Sequence, residues 1–151
     1  MAPESDAVPV RPWEVIATLI WVGLYWAVAT TFGFVYSGAI TGEDVSYAVV
    51  WTAALGLWMW RVWHGGPVAV RYMRQVLRAF GVLAPGGVAL IIVFALTGFG
   101  LDDVFDNWPT SQLILLTLPM IAVGVVSFML SRLLNRPVVT EWTMARRTTV
   151  R

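Results

Sequence analysis

Cysteine and lysine are both missing from this chain of 151 residues, and histidine occurs only once. Without cysteine the chain has no disulfide and no thiolate for metal binding or nucleophilic catalysis. A zinc site needs at least three protein ligands, and a haem held between helices usually takes two histidines, so the single His64 satisfies neither. We therefore predict no catalytic residue, no metal and no cofactor bound by this chain alone, with His64 exposed near a membrane surface.

Charged residues are also scarce. They make up 13% of the chain, whereas hydrophobic residues make up 58% and the mean hydropathy is +0.73. Soluble domains carry about 25% charged residues, so a globule of this size could not hide so much apolar surface from water. The net charge of +1 gives no field that would attract a nucleic acid. This composition predicts a single all-α domain embedded in a membrane.

Four long stretches of the chain, each of at least 16 residues, contain no charged residue: 15–42, 45–60, 79–101 and 107–131. A helix needs about 20 apolar residues to cross the hydrocarbon core. The second stretch is short, but Arg61 can extend its charge to the headgroups and Trp63 suits the interface. We predict four membrane spans at about 13–40, 45–63, 85–105 and 108–132, which together form a domain over 13–132.

The two ends of the chain are polar. Residues 1–10 contain Glu4 and Asp6 but no basic residue, which is not the pattern of a signal peptide. We predict a flexible tail over 1–12 and a second tail over 133–151.

Arginine positions predict the orientation of the chain. All ten basic residues are arginines, and they lie before the first span, from the end of the second span up to the third, or from the end of the fourth span onwards. The other two connections are acidic, with Glu43 and Asp44 in one and Asp102, Asp103 and Asp106 in the other. Because arginine-rich loops stay in the cytoplasm, we predict a multi-pass protein of the bacterial plasma membrane with both termini cytoplasmic. The acidic turns are short, so the four spans form two hairpins.

The segment between the two predicted hairpins is amphipathic. Gly65-Gly66-Pro67 ends the second span, and Ala84-Pro85-Gly86-Gly87 turns the chain into the third. Between them, Arg71, Arg74 and Arg78 share one helical face. We predict a short interfacial helix at about 67–83 whose arginines contact anionic phospholipids. Pro119 is expected to kink the fourth span.

Three further features of the sequence leave two interpretations open. A ridge of small residues on the first span, Ala29, Gly33 and Ser37, permits close helix approach, either inside the bundle or against a partner subunit. The aromatic side chains of Trp21, Tyr25 and Trp26 have the same two alternatives. The acidic turns either bind a cation or basic partner, or are solvated charges that set topology.

The deep parts of all four predicted spans lack charged residues. Transporters, pumps and proton relays usually carry such charges, and no acid, base or nucleophile motif suggests a membrane enzyme. The sequence thus favours a non-catalytic accessory subunit that contacts other integral membrane subunits. A small oligomeric transporter or channel subunit is the alternative.

The Trp- and Tyr-rich first span, the segment Arg71-Tyr72-Met73-Arg74 and the lysine-free, arginine-rich tail resemble a known group. They are similar to the small accessory subunits of actinobacterial respiratory supercomplexes of cytochrome bcc and aa3 oxidase. This resemblance lies in the overall layout, so no functional residue is carried over. It implies a subunit of an oxidoreductase complex that holds no redox centre itself and stabilises the assembly in the plasma membrane.

Overall fold

The computed structural model describes residues 10–36, 40–97 and 110–149, and every regular element in these ranges is a helix. They are α1 (Trp13–Tyr36), α2 (Gly42–Trp63), α3 (Pro67–Thr97), α4 (Thr110–Leu133) and α5 (Pro137–Thr149). The predicted all-α class is confirmed over these residues. The chain forms two compact units, one of Met1–Tyr72 with Leu134–Arg151 and one of Met73–Leu133.

Both ends of α2 are fixed by local hydrogen bonds. At its start, the Thr41 hydroxyl accepts a hydrogen bond from the Asp44 amide, while the Asp44 carboxylate accepts one from the Thr41 amide. This reciprocal capping box satisfies two amides that the helix itself leaves unpaired. At its end, the Gly65 amide donates to the Val62 carbonyl and the Gly66 amide to the Arg61 carbonyl. That Schellman motif needs a left-handed residue, and Gly65 has φ of +79°.

In the first unit, α1 and α2 pack as an antiparallel hairpin. The Trp26 indole N–H donates to the Thr52 hydroxyl at 3.0 Å. Nearer the other end, Gly23 faces Met59, whose methyl group lies 3.6 Å from where a Cβ on Gly23 would be. The side chains of Trp26 and Met59 therefore hold the two helices together inside the chain, as the hairpin prediction expected of neighbouring helices.

The segment predicted as a C-terminal tail contains α5. Pro137 occupies its first position, where the missing amide costs no hydrogen bond. Val139, Trp142 and Thr143 share one face of α5 and are buried in the first unit. Burial of a face at this helical spacing stabilises a helix that its polar composition alone would not. The prediction of a tail over 133–151 is corrected accordingly for Pro137–Thr149.

In the second unit, α3 and α4 approach each other unusually closely at two glycines. A Cβ on Gly81 would lie 2.7 Å from the Cβ of Phe128 and 3.0 Å from its Cα. A Cβ on Gly124 would lie 2.7 Å from Cδ of Pro85. Only residues without a side chain allow these contacts, so the two glycines set the distance between α3 and α4.

The turn predicted at Ala84-Pro85-Gly86-Gly87 is wrong, because α3 continues as one helix through Pro85. The predicted interfacial helix and the start of the predicted third span are thus a single element of 31 residues. Proline and glycine usually end a helix, but here the Pro85 ring packs into the notch at Gly124. Tertiary packing has overridden the local turn signal. Pro119 likewise lies inside a continuous α4.

One described helix, α1 over Trp13–Val35, is long and apolar enough to cross a membrane, and a second candidate arises only if α4 and α5 count as one broken span. Only 17% of the most apolar window of α1 is buried within the chain. Large apolar side chains on its surface include Ile20, Leu24, Val28, Phe32 and Val35. Four tryptophans, whose indole is partly polar, lower the mean hydropathy of α2. Residues 98–109, through which the third and fourth predicted spans run, lie outside the described ranges.

Candidate functional site

The start of α1 is joined to the start of α5 by an ion pair. Nη1 of Arg136 donates to Oε1 of Glu14 at 3.3 Å. The Glu14 side chain is only 5% exposed, whereas that of Arg136 is 53% exposed. Thr18, one turn further along α1, is fully buried and donates its hydroxyl to the Glu14 carbonyl at 2.8 Å. A buried carboxylate is expensive to desolvate, so Arg136 compensates a charge that α1 could not hold alone.

Arg11 ties the segment before α1 to the end of α2. Its Nε donates to the Trp63 carbonyl at 3.1 Å, and its guanidinium lies 3.4 Å from the centre of the Trp63 ring. Burial, with a smaller contribution from the like charge of Arg146, lowers the pKa of Arg11. The cation–π contact and the hydrogen bond offset this cost and fix the angle at which the chain enters α1.

The turn between α2 and α3 is covered by α5. A Cβ on Gly65 would lie 3.2 Å from the Trp142 ring and 3.3 Å from Cγ of Arg146, so α5 packs directly on the turn backbone. Trp142 is 3% exposed. Among the described residues, Trp142 Nε1 and Arg146 Nε are buried without a hydrogen-bond partner. The contacts of Trp142 and Arg146, together with that of Arg136 just before the helix, show that α5 is an integral part of the first unit.

A cleft of about 300 Å³ opens between α1 and α2 near the acidic turn. Each helix contributes residues at helical spacing, with Trp26, Thr30, Gly33 and Phe34 from α1 and Asp44, Tyr47, Ala48 and Trp51 from α2. Four of these eight residues are aromatic and one is a carboxylate. The cleft exists because the small Gly33 and Ala48 leave space that bulky side chains would fill. The hydrogen bond from Trp26 to Thr52 fixes the indole ring in the wall.

Asp44 is the charged group of the cleft. Its Oδ2 accepts hydrogen bonds from the Thr41 amide at 3.0 Å and the Thr41 hydroxyl at 2.7 Å. These two bonds lower the pKa of the Asp44 carboxyl, because they favour the charged form. The carboxylate therefore keeps its charge and its position at neutral pH.

The three arginines predicted to bind lipid lie on α3, where Arg71 and Arg78 are exposed and Arg74 is half-buried. On other faces of the same helix, Val70, Met73 and Leu77 are buried, whereas Val76 and Phe80 are exposed. Three of these five apolar residues are therefore buried, as expected for the apolar face of an amphipathic helix. Lipid contact by Arg71, Arg74 and Arg78 stays a prediction.

The small-residue ridge lies on the surface of the chain where it is described. Ala29 and Gly33 are exposed, and a Cβ on Gly33 would meet nothing within 4 Å. Ser37 lies outside the described residues. The close approach enabled by glycine occurs instead at Gly81 and Gly124, which sequence analysis missed. The sequence does not show which bulky residue a glycine faces on another helix, so no signal in it singles out these two positions.

Other predicted features have defined positions. His64 is exposed, and its Nδ1 lies 2.8 Å from the Trp60 carbonyl. Trp26 packs within the hairpin, which favours a role in packing inside the chain over contact with a partner subunit. The second acidic turn, with Asp102, Asp103 and Asp106, lies outside the described residues. Within the described ranges, no three His, Asp or Glu side chains are grouped as a metal site would require.

No family model, curated protein or solved structure matches this chain. Two arrangements of side chains are candidates for a role. The contacts of α5 and the turn before it with Glu14, Arg11 and Gly65 are largely buried and stabilise the fold, whereas the α1–α2 cleft is open and combines aromatic rings with a carboxylate.

Proposed function

We propose that this chain is a four-span plasma-membrane protein with both termini in the cytoplasm, and that it serves as a non-catalytic accessory subunit of a multisubunit complex. The observation that carries the proposal is the exposed apolar surface of α1. Monomeric soluble proteins rarely leave a patch of this extent open to water, so lipid or another subunit must cover it. Its exposed large side chains recur along the whole length of the helix.

Apolar exposure extends beyond α1. Val49, Val50 and Leu57 on α2, Leu90 and Val93 on α3, and Leu118, Val125 and Met129 on α4 are all exposed. By contrast, the ion pair and the buried cluster around α5 lie among the arginine-rich segments. The arginines that surround α5 in the first unit support a position of α5 on the cytoplasmic side of the bilayer.

The partner we propose is a bacterial respiratory oxidase supercomplex of the bcc–aa3 type. Support comes from the layout described for the sequence, and from exposed apolar side chains on α1 that fit a neighbouring helix as well as they fit lipid. An accessory role requires stably packed helices with an exposed apolar surface that can contact another subunit. The capping box of α2, the glycine contacts of α3 with α4 and the buried face of α5 supply that stability.

Topology can be tested directly, because the chain has no cysteine of its own. Single substitutions Glu43→Cys and Asn107→Cys should react with a membrane-impermeant maleimide in intact cells. His64→Cys and Glu141→Cys are at exposed positions that we propose to be cytoplasmic, and they should react only after permeabilisation. Labelling of all four positions in intact cells, or of none before lysis, would contradict the four-span topology.

The accessory role is tested by isolating the chain in a gentle detergent through a C-terminal tag, followed by mass spectrometry and haem absorbance. Stoichiometric cytochrome subunits with haem bands would support the supercomplex. A homo-oligomer free of other subunits would overturn it and favour the alternative of an oligomeric transporter or channel. Ala29→Leu, which enlarges the exposed ridge, should weaken recovery of partners if the ridge contacts them.

A further inference from the structure

We propose that the cleft between α1 and α2 binds an alkylated ammonium group, such as the head of choline. Aromatic side chains line the cleft on both helices, with Trp26 and Phe34 from α1 and Tyr47 and Trp51 from α2. Ring faces attract a cation with a diffuse charge, and a cage of several rings is the usual protein site for quaternary ammonium. This cleft would take its ligand whichever complex the chain joins.

Asp44 supplies the charge that selects a cation. Both of its hydrogen bonds from Thr41 reach Oδ2, so Oδ1 remains available to face the cleft. The positive end of the α2 helix dipole opposes a cation there, but the full negative charge of Asp44, in the first turn, outweighs that half charge. The capping box fixes the carboxylate before a ligand arrives, which limits the entropy lost on binding.

Other occupants fit this cleft less well. A hydrocarbon chain would cover the Asp44 carboxylate without giving it a partner, which is costly. A bare metal ion prefers several oxygen ligands, often including more than one carboxylate, whereas the side chains lining this cleft offer one carboxylate and the hydroxyls of Thr30 and Tyr47. At about 300 Å³ the cleft is at the lower limit of small-molecule sites, which begin at roughly 300 Å³, so a compact head group suits it.

Binding is measured by ligand-observed NMR titration of the full chain in maltoside micelles, which carry no charge. The probes are tetramethylammonium, choline and 3,3-dimethylbutan-1-ol, a neutral molecule of the same shape as choline. We expect saturable binding of the two cations, with an affinity at least about tenfold above that of the neutral alcohol. Equal binding of choline and the alcohol would overturn the proposal.

Matched variants locate the site. Asp44→Asn and Trp51→Leu should each weaken choline binding by about tenfold. Glu43→Gln removes the adjacent charge, and Trp60→Leu removes an exposed tryptophan of the same helix that does not line the cleft. Both controls should bind as the wild type does. Because Asp44 also caps α2, Tyr47→Leu repeats the test without touching the cap. Wild-type binding by both Trp51→Leu and Tyr47→Leu would overturn the proposal.

The ammonium group could belong to a lipid or to a free solute, and nanodiscs separate the two sources. In phosphatidylglycerol discs, added choline should bind and shift the Trp51 indole resonance. In phosphatidylcholine discs, a lipid source predicts that the headgroup methyls contact Trp51 and that added choline no longer binds. A free-solute source predicts binding in both discs. Binding in neither disc would contradict the site.

Discussion

The carboxylate of Glu14 accepts a hydrogen bond from the guanidinium of Arg136 at 3.3 Å, although 122 positions separate the two residues in the chain. The pair is unequal, because Glu14 is buried and Arg136 is half-exposed. Removing Arg136 leaves a buried charge without a partner, whereas removing the charge of Glu14 leaves an arginine that water can solvate.

This inequality predicts that Arg136→Met destabilises the chain more than Glu14→Gln. We expect a loss of about 2 kcal/mol for Arg136→Met, below the 3–5 kcal/mol of a fully buried pair because Arg136 is solvated. Glu14→Gln should cost about 1 kcal/mol or less. Unfolding in mixed detergent, followed by circular dichroism, measures both changes. Arg147→Met on α5, the helix that follows Arg136, is the control, and equal losses in all three variants would contradict the ion-pair interpretation.

Replacement of Gly65 by alanine is predicted to destabilise the fold. Its φ of +79° is disfavoured for other residues by about 1–2 kcal/mol, and the added methyl would press on Trp142 and Arg146. Gly65→Ala should therefore lower the free energy of unfolding by about 2 kcal/mol. Gly56→Ala, inside α2 with open space around it, should be neutral or stabilise by up to about 1 kcal/mol. Similar effects of the two variants in the same unfolding assay would disprove the role of the turn.

The contact between α3 and α4 gives a third prediction. Gly81→Ala should destabilise by about 1–3 kcal/mol, because the new methyl would meet the backbone of Phe128. Gly124→Ala should behave similarly against Pro85. Gly86→Ala, where nothing lies within 4 Å, is the control on the same helix as Gly81. Retention of wild-type stability in Gly81→Ala would show that α3 and α4 are not in close contact.

These glycines mark the limit of prediction from sequence. The uncharged stretches located the helices, since α1, α2 and α4 lie within a few residues of the predicted bounds. The hydrophobic pattern does not show which small residue faces which bulky one on another helix. The sequence therefore predicted close helix approach at Ala29 and Gly33, which are exposed, and not at Gly81 and Gly124, where it occurs.

Two local signals were also misleading. Pro85-Gly86-Gly87 has the composition of a turn, yet packing of Pro85 against Gly124 keeps α3 continuous. The polar composition of 133–151 suggested a tail, although Val139, Trp142 and Thr143 already carry the spacing of a buried helical face. The cleft was not predictable, because its walls come from two helices whose register is set by contacts such as Trp26 with Thr52.

A fourth prediction concerns pH and the capping box of α2. The pKa of Asp44 is lowered in the folded chain, so its stabilising effect is present above the pKa of the unfolded state and is lost as pH falls through the folded pKa. An NMR titration of the Asp44 carboxyl should show its midpoint rise in Thr41→Ala, which removes the hydroxyl bond. Ser46→Ala, whose hydroxyl bonds the Gly42 carbonyl instead, should leave the midpoint unchanged. An unaltered midpoint in Thr41→Ala would refute this cause.

The arginines of α3 give the fifth prediction. Replacement of both Arg71 and Arg78 by Gln should weaken the affinity of the detergent-solubilised chain for phosphatidylglycerol by about 2 kcal/mol in total, or about 1 kcal/mol for each charge near the surface. Native mass spectrometry with added lipid measures the change, and the binding of phosphatidylcholine should show little difference. Gln75→Ala on the same helix serves as the uncharged control. Unchanged affinity in the double variant would exclude these arginines as lipid contacts.

The continuous α3 also has a consequence for depth. Its 31 residues measure about 46 Å at 1.5 Å per residue, longer than a hydrocarbon core of about 30 Å. If its C-terminal part crosses the bilayer as proposed, the N-terminal part stands upright through the headgroup layer instead of lying along it. Arg71 and Arg78 are then stacked about 10 Å apart along the membrane normal. Arg78 then lies nearer the hydrocarbon core than Arg71, with both guanidinium groups at the level of the headgroups, so a change in bilayer thickness should alter the two lipid contacts unequally.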